Sequence, residues 1–304
     1  MKVLVIGDVN ADLVLHDPDP VPRFDQVERL VSDAKLTVGG SAAITACGLA
    51  RLGADVELAG VIGTDALGNL VQALLHERGV ATEAIVKDVT LPTGISVVLS
   101  GPADRAILTS SGSIAELRAR MIPHHLLLAV DHVHVSSYYL LDRLRDELPE
   151  LLEAARTARA SVSLDTNHDP SEQWAGVTGA LSQVDMFLPN EQELRAIGRA
   201  RSTDLAASEL LDKVPTVVVK QGAAGASVYP RDGQIIRARG GAVDVVDTTG
   251  AGDSFNAGFL FGWLSGWSLR GALELGLACG GLSTMALGGV DAQPTLQQAT
   301  EFVR

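Results

Sequence analysis

Residues 247–259 read DTTGAGDSFNAGF. Gly250, Ala251 and Gly252 carry so little bulk that their backbone N–H groups can close on an anion. The segment after them has helical character, which puts these amides at a helix N-terminus, a place that attracts phosphate. The next residue is nevertheless Asp253, a negative charge where another would bind. The helix dipole alone favours a carboxylate there by about 0.3–1 kcal/mol, so a purely structural role is open at this point. LPNEQEL offers a second polar group. Asn190 and Glu193 have the spacing of a capping box. VVVKQGAAGASVY reads as a buried strand, a glycine turn around Gly222 and Gly225, and a second strand. Lys220 at the turn could meet a phosphate as a mobile point charge. GDVNAD supplies Asn10 and Asp12, short hydrogen-bonding groups, the carboxylate able to accept from two hydroxyls at once. Asp8 in the same turn reads as capping its own loop. LDTNHDP adds Asp165, Asn167 and His168 at the border of such a site.

These groups need elements to hold them. Short β-branched runs (KVLVIGD, VELAGVIG, HVHVSSY, SVSLDTN, MFLPN, TVVVKQG) alternate with stretches of helical apolar spacing. The alternation predicts an α/β fold, a mostly parallel sheet with helices on both faces. Ligands then bind beyond the carboxyl ends of the strands, where VIGD, LDTN, LPNE and VKQG place their polar residues. Two stretches break the rhythm, at about 12–38 and 92–112. The second reads as a hairpin around GPAD. Together they predict a small β lid inserted into one domain spanning 1–304, with ordinary surface hairpins as the alternative.

Bulk properties narrow the classes. The chain has 304 residues, 46% of them hydrophobic, and a net charge of −13 with no basic block, so a nucleic-acid backbone is not an expected partner. No apolar run reaches the roughly 20 residues of a membrane span. Cys47 and Cys279 form no metal or disulfide pattern, and the amino-terminal MKVLVIGDVNAD is no signal peptide; a cytoplasmic location is expected. There is no H-E-x-x-H zinc motif, no G-x-x-x-x-G-K-[ST] phosphate loop, and no G-x-G-x-x-G after the first strand, which disfavours a dinucleotide dehydrogenase.

DTTGAGDSFNAGF resembles the carboxy-terminal signature of the ribokinase/PfkB family of carbohydrate kinases at almost every position. Gly39 and Gly40 in TVGGSAAITACGLARLGA match that family's di-glycine element, LPNEQE matches its N-x-x-E element, and the order of motifs fits along nearly the whole chain. The resemblance implies a ribokinase-like three-layer α/β/α fold with a small β lid, and an enzyme that uses ATP and Mg²⁺ to phosphorylate a hydroxyl of a small sugar or sugar-like substrate. It implies that Asp253 is the base taking the hydroxyl proton, worth about 10²–10⁴ in rate. The amides of Gly250, Ala251 and Gly252 form the anion hole, each such donor worth about 10²–10³. Asn10, Asp12, Gly39, Gly40, Ser41, Ser137 and Asp253 then face the substrate. Asn190, Lys220, Gly222, Gly225 and Gly252 face the nucleotide, and Glu193 with Asn190 serves Mg²⁺. By the same resemblance ALGGVDAQPT closes a K⁺ site from Asp247, Thr249, Ala286, Gly289, Asp291 and Thr295, and the lid is where a homodimer would form.

Three departures bear on the substrate. Ile44 stands where the family usually has a sugar-contacting Asn. Ser41 replaces the Lys of phosphofructokinase-like members, which argues against an acceptor that is already phosphorylated. Ser137 and Tyr138 bring hydroxyls where ribokinase has a carboxylate. A nucleoside kinase is the alternative within the class, disfavoured because aromatics are 4% of the chain and the lid offers only Phe24 to stack on a base. A non-catalytic sugar sensor is the alternative outside it.

Overall fold

The computed structural model describes residues 1–101 and 104–303. Thirteen strands occur among them: β1 Lys2–Ile6, β2 Asn10–His16, β3 Asp33–Gly39, β4 Asp55–Gly63, β5 Ile85–Asp88, β6 Gly94–Ser100, β7 Arg105–Ser110, β8 His132–Val135, β9 Ser161–Leu164, β10 Met186–Phe187, β11 Thr216–Lys220, β12 Ala226–Pro230 and β13 Ile236–Ala238. Nine make one sheet in the order β13-β12-β11-β10-β9-β8-β1-β4-β5. From β11 to β5 every pairing is parallel; β12 and β13 add an antiparallel edge.

Strand residues alternate between the two faces. Leu4 and Ile6 of β1 join one apolar core with Val133, Leu164, Leu152 and Leu210. Val3 and Val5 join another with Ala46, Leu49, Phe259 and Leu275. Burial on both faces explains the near-continuous apolar strand runs. The three-layer α/β/α arrangement expected from the sequence is the architecture observed. The chain leaves β1 on one side for β4 and on the other for β8, so the sheet reverses its strand order there, and crevices form at such points.

The remaining strands form a four-stranded sheet, β3-β2-β6-β7. β6 and β7 pair antiparallel as a hairpin, but β2 and β6 pair in parallel, so two distant segments build one sheet. It begins at Asn10, two residues before the expected bound. In the GPAD turn, Pro102 and Ala103 lie outside the described residues. The sheet rests on the carboxy-terminal loops: Ser100 Oγ donates to Asp247 at 3.0 Å, Arg105 Nη1 to the Thr248 hydroxyl at 2.5 Å, and Lys35 Nζ to the Leu287 carbonyl at 3.2 Å.

Candidate active site

The strand ends bring the site together. Asp8 follows β1, Ser137 follows β8, Asp165 follows β9, Asn190 follows β10, and Lys220 closes β11. Asp8 does not cap its own turn, as the sequence suggested. Its carboxylate accepts from the amides of Ser41 and Ala42 at 3.0 and 2.9 Å. It thereby caps the Ser41–Leu52 helix, whose N-cap, Gly40, has no side chain to do so.

Asn10 and Asp12 meet on the buried face of β2, with Asn10 Nδ2 donating to Asp12 Oδ1 at 2.8 Å and to Ser96 Oγ at 3.2 Å. Burial, then the neighbouring Asp8 charge, pushes Asp12 up to about 7. Gly39 pairs across from Asn10, and Gly40 has φ 93°, a left-handed conformation that favours glycine. Next to them, Asn167 Nδ2 donates to Ser41 Oγ at 2.5 Å and to Ser137 Oγ at 2.7 Å. Asn167 and Ser137 both hold positive φ, 53° and 58°, strained backbone of the kind that gathers at functional sites. His168 is exposed and packs edge-on against Trp174; it does not join this cluster.

The signature forms a turn and a helix. Gly250 is the N-cap of the Ala251–Leu264 helix, with φ 71° and no side-chain cap. A Cβ at Gly250 would lie 2.6 Å from Gly289 Cα and 3.0 Å from Ile44 Cγ2. Ile44 therefore supports this turn and Gly289 by packing, which accounts for an apolar residue where a sugar-contacting Asn was expected. Asp253 sits in the first helical turn and is buried. Burial and then the charge of Asp165 raise it to about 8; Lys220 opposes them, Asp8 adds to the rise, and the Ser41 hydroxyl lowers it.

Behind this turn lies a buried cluster. Lys220 Nζ pairs with Asp165 Oδ2 and donates to Asn256 Oδ1 at 3.3 Å, while Asn256 Nδ2 donates to Asp165 Oδ2 at 2.5 Å. A Cβ at Gly252 would lie 3.7 Å from Lys220 Nζ. Burial lowers the Lys220 pKa, but Asp165 and Glu193 outweigh it, and the net shift is upward. Asn256 escaped the sequence reading. Its i,i+3 relation to Asp253 was the available signal, because such residues share a helix face.

Asn190 and Glu193 form the full capping box: Asn190 Oδ1 accepts from the Glu193 amide at 2.9 Å, and Glu193 Oε2 from the Asn190 amide at 2.8 Å. The Asn190 oxygen is thus committed, leaving its NH₂ as a donor. Glu193 is buried, and burial followed by the Asp165 charge raises it to about 7. On the far side of Lys220, Gly222 has φ 55° in open space. Gly225 has φ 108° and packs so closely on β13 that a Cβ would lie 2.1 Å from the Ala238 carbonyl oxygen.

The carboxy-terminal loop commits its polar side chains to protein partners. Asp247 Oδ1 accepts from Ser100 Oγ, the Thr249 amide and the Thr249 hydroxyl, and Oδ2 accepts from the Gly288 amide at 2.9 Å. Asp291 is held by Lys35 and Arg78. The Thr295 hydroxyl takes the Gln298 amide at 3.3 Å and bonds the Gln298 side chain, capping the last helix. The side chains of Asp291 and Thr295 are therefore engaged elsewhere. Ala286 and Gly289 keep only backbone oxygens to offer.

A family model described as pfkB family carbohydrate kinase matches residues 1–296, and the chain belongs to that family of carbohydrate kinases. It is 31% identical over 304 residues to an ATP-dependent ribose-1-phosphate kinase of Halopiger xanaduensis, covering 100% of this chain and 98% of the relative. It is 28% identical over 309 residues to the ribokinase of Haemophilus influenzae, covering 98% and 97%. A solved Arabidopsis thaliana ribokinase, complexed with ribose and ATP, superposes with a TM-score of 0.85 at 22% identity, covering 100% of this chain and 98% of that one. At that identity the likeness speaks for the ribokinase-like fold. Among the described residues no helix is long and apolar enough to cross a membrane.

Proposed function

We propose that the chain transfers the terminal phosphoryl group of ATP to a hydroxyl of a small, unphosphorylated sugar or sugar-like alcohol. The observation that carries this reading is the placement of Asp253. It is a buried carboxylate with a raised pKa, in the first turn of a helix whose leading amides have no side-chain cap. Asp253 takes the proton as the hydroxyl oxygen bonds to phosphorus and the bond to the departing ADP oxygen breaks. The amides of Gly250, Ala251 and Gly252 stabilise the charge on the transferring group. Asn10, Asp12, Ser41 and Ser137 orient the sugar, and Lys220 and the Asn190 NH₂ face the nucleotide phosphates, with Gly222 and Gly225 shaping its pocket. ATP as donor is also supported by the name of the Halopiger relative.

Mg²⁺ fits the site. Asp8, Asp12, Asp165, Glu193, Asp247 and Asp253 are all buried, and among the described residues the one ion pair that any of them makes is Asp165 with Lys220; Glu193, raised to about 7, gains its charged form from a nearby divalent ion. Glu193 would hold that ion through water, and the ion would neutralise phosphate charge. K⁺ fits poorly. The Asp247 carboxylate already takes four protein donors, and Asp291 has two cations of its own. No step runs through K⁺.

The side chains around the acceptor support an unphosphorylated sugar. Ser41 stands where a cation would be needed and is engaged by Asn167. Lys35 and Arg105 of the small sheet turn to Asp291 and Thr248. A phosphorylated acceptor is the second reading, favoured by the name of the Halopiger relative. ADP release measured across matched pairs, ribose against ribose 1-phosphate and fructose against its phosphates, separates the two. The free sugar should show the higher kcat/KM in each pair; a consistent preference for the phosphorylated member rejects the proposal.

A further inference from the structure

Asp165 has no exposed surface and ties together three parts of the site. Its Oδ2 meets Lys220 from the end of β11 and Asn256 from the signature helix. Its Oδ1 accepts from the Asn167 amide at 3.3 Å, and the Asn167 side chain reaches Ser41 and Ser137 on the acceptor side. Lys220 lies beside Gly252, one residue from the proposed base. A buried ammonium among carboxylates seeks a partner. Lys220 has taken Asp165, and among the described residues no ion pair joins it to Asp253.

We propose that Asp165 is a positioning residue for phosphoryl transfer: by pairing with Lys220 it keeps that ammonium off the Asp253 carboxylate and against the Gly252 turn, so that base and cation address different atoms of the reacting group. The proposal rests on the reading of Asp253 as the base. Were Lys220 to pair with Asp253, the carboxylate would be a weaker proton acceptor, and the ammonium would be withdrawn from the phosphate. The charged groups around Asp253 are Asp165, Lys220 and Asp8. Removing the charge of Asp165 takes away a repulsion and also frees Lys220 to approach Asp253. Both effects favour the ionised form of the base.

The test is the pH dependence of kcat/KM for the sugar in three variants, each checked by thermal melting. Asp165→Asn should move the acid limb down by about one pH unit or more and lower kcat at least about tenfold, because base strength falls with basicity. Lys220→Gln should move the limb up. The double variant should return the limb toward its original position with kcat still low. If the limb stays put in all variants while turnover or melting temperature falls, Asp165 only supports the fold and the proposal is overturned. If Asp165→Asn does not fold, Lys220→Gln decides alone: an unmoved or lowered limb overturns it. Asp253→Asn assayed alongside separates the two claims, since retained turnover there defeats the base reading itself.

Discussion

Gly39 illustrates how one missing side chain sets a substrate site. A Cβ there would lie 1.9 Å from Asp12 Oδ1 and 2.6 Å from Asn10 Nδ2, so any larger residue must drive both groups aside. Gly39→Ala should therefore raise the sugar KM about 10–100-fold, the equivalent of losing one hydrogen bond to a charged group at roughly 1.5–3 kcal/mol, with ATP affinity unchanged. Steady-state kinetics with each substrate varied in turn checks this; an unchanged sugar KM would show that Asn10 and Asp12 do not hold the acceptor. The candidates that sequence could reveal sit in contiguous stretches: Asn10 and Asp12, Gly39 to Ser41, Asn190 and Glu193, Gly250 to Asp253. Asp165, Lys220 and Asn256 form one cluster only in space, with 55 residues separating the first two and 91 separating the first and last. Asp8 misleads for the same reason, because the amides it caps lie 33 and 34 residues on.

Elements follow a similar rule. The six β-branched runs all became strands of the large sheet, since burial on both faces leaves a local apolar signature. The small sheet was legible only as a hairpin plus an irregular stretch. Its parallel β2–β6 pairing joins segments more than 80 residues apart, and no local pattern encodes such a partner. The loop after the last long helix is tied down by partners that are distant in sequence. Its resemblance to the family's loop implied a K⁺ site; Lys35 from β3 donates to the Leu287 carbonyl and pairs with Asp291. That places an ammonium group, rather than an open ion site, against the Leu287 carbonyl and Asp291. Turnover should accordingly change less than about twofold when K⁺ is exchanged for a bulky organic cation at constant ionic strength, so that screening is held fixed. A rise of several-fold in K⁺ would restore the ion to the site.

Across the whole molecule, the concentration of buried acids makes stability depend on pH in a particular direction. Asp12 and Glu193 are raised to about 7 and Asp253 to about 8, from ordinary values of 3.8, 4.5 and 3.8. Between those ordinary values and the raised ones, the folded chain binds more protons than the unfolded chain, so stability falls as pH rises. His132 and His134 act the other way. Burial holds them neutral, at about 3 and 4, but their effect ends above the unfolded value of 6.5. From about pH 7 to about 8.5 the acids therefore set the slope. The melting temperature of the ligand-free protein should drop over that interval, and Asp253→Asn should flatten the drop. A melting temperature constant or rising across it would contradict the assigned burial of these groups.

Asp253→Asn shows whether Asp253 accepts the proton of the sugar hydroxyl. The substitution keeps the shape of the side chain and some hydrogen bonding but removes the carboxylate. Turnover should fall by about 10²–10⁴. ATP affinity by calorimetry should hold or improve, because a negative charge leaves the vicinity of the phosphates. Collapsed turnover with intact nucleotide binding is the predicted pair of results. Near-normal turnover in Asp253→Asn would contradict the account and leave this residue as a carboxylate that merely begins a helix.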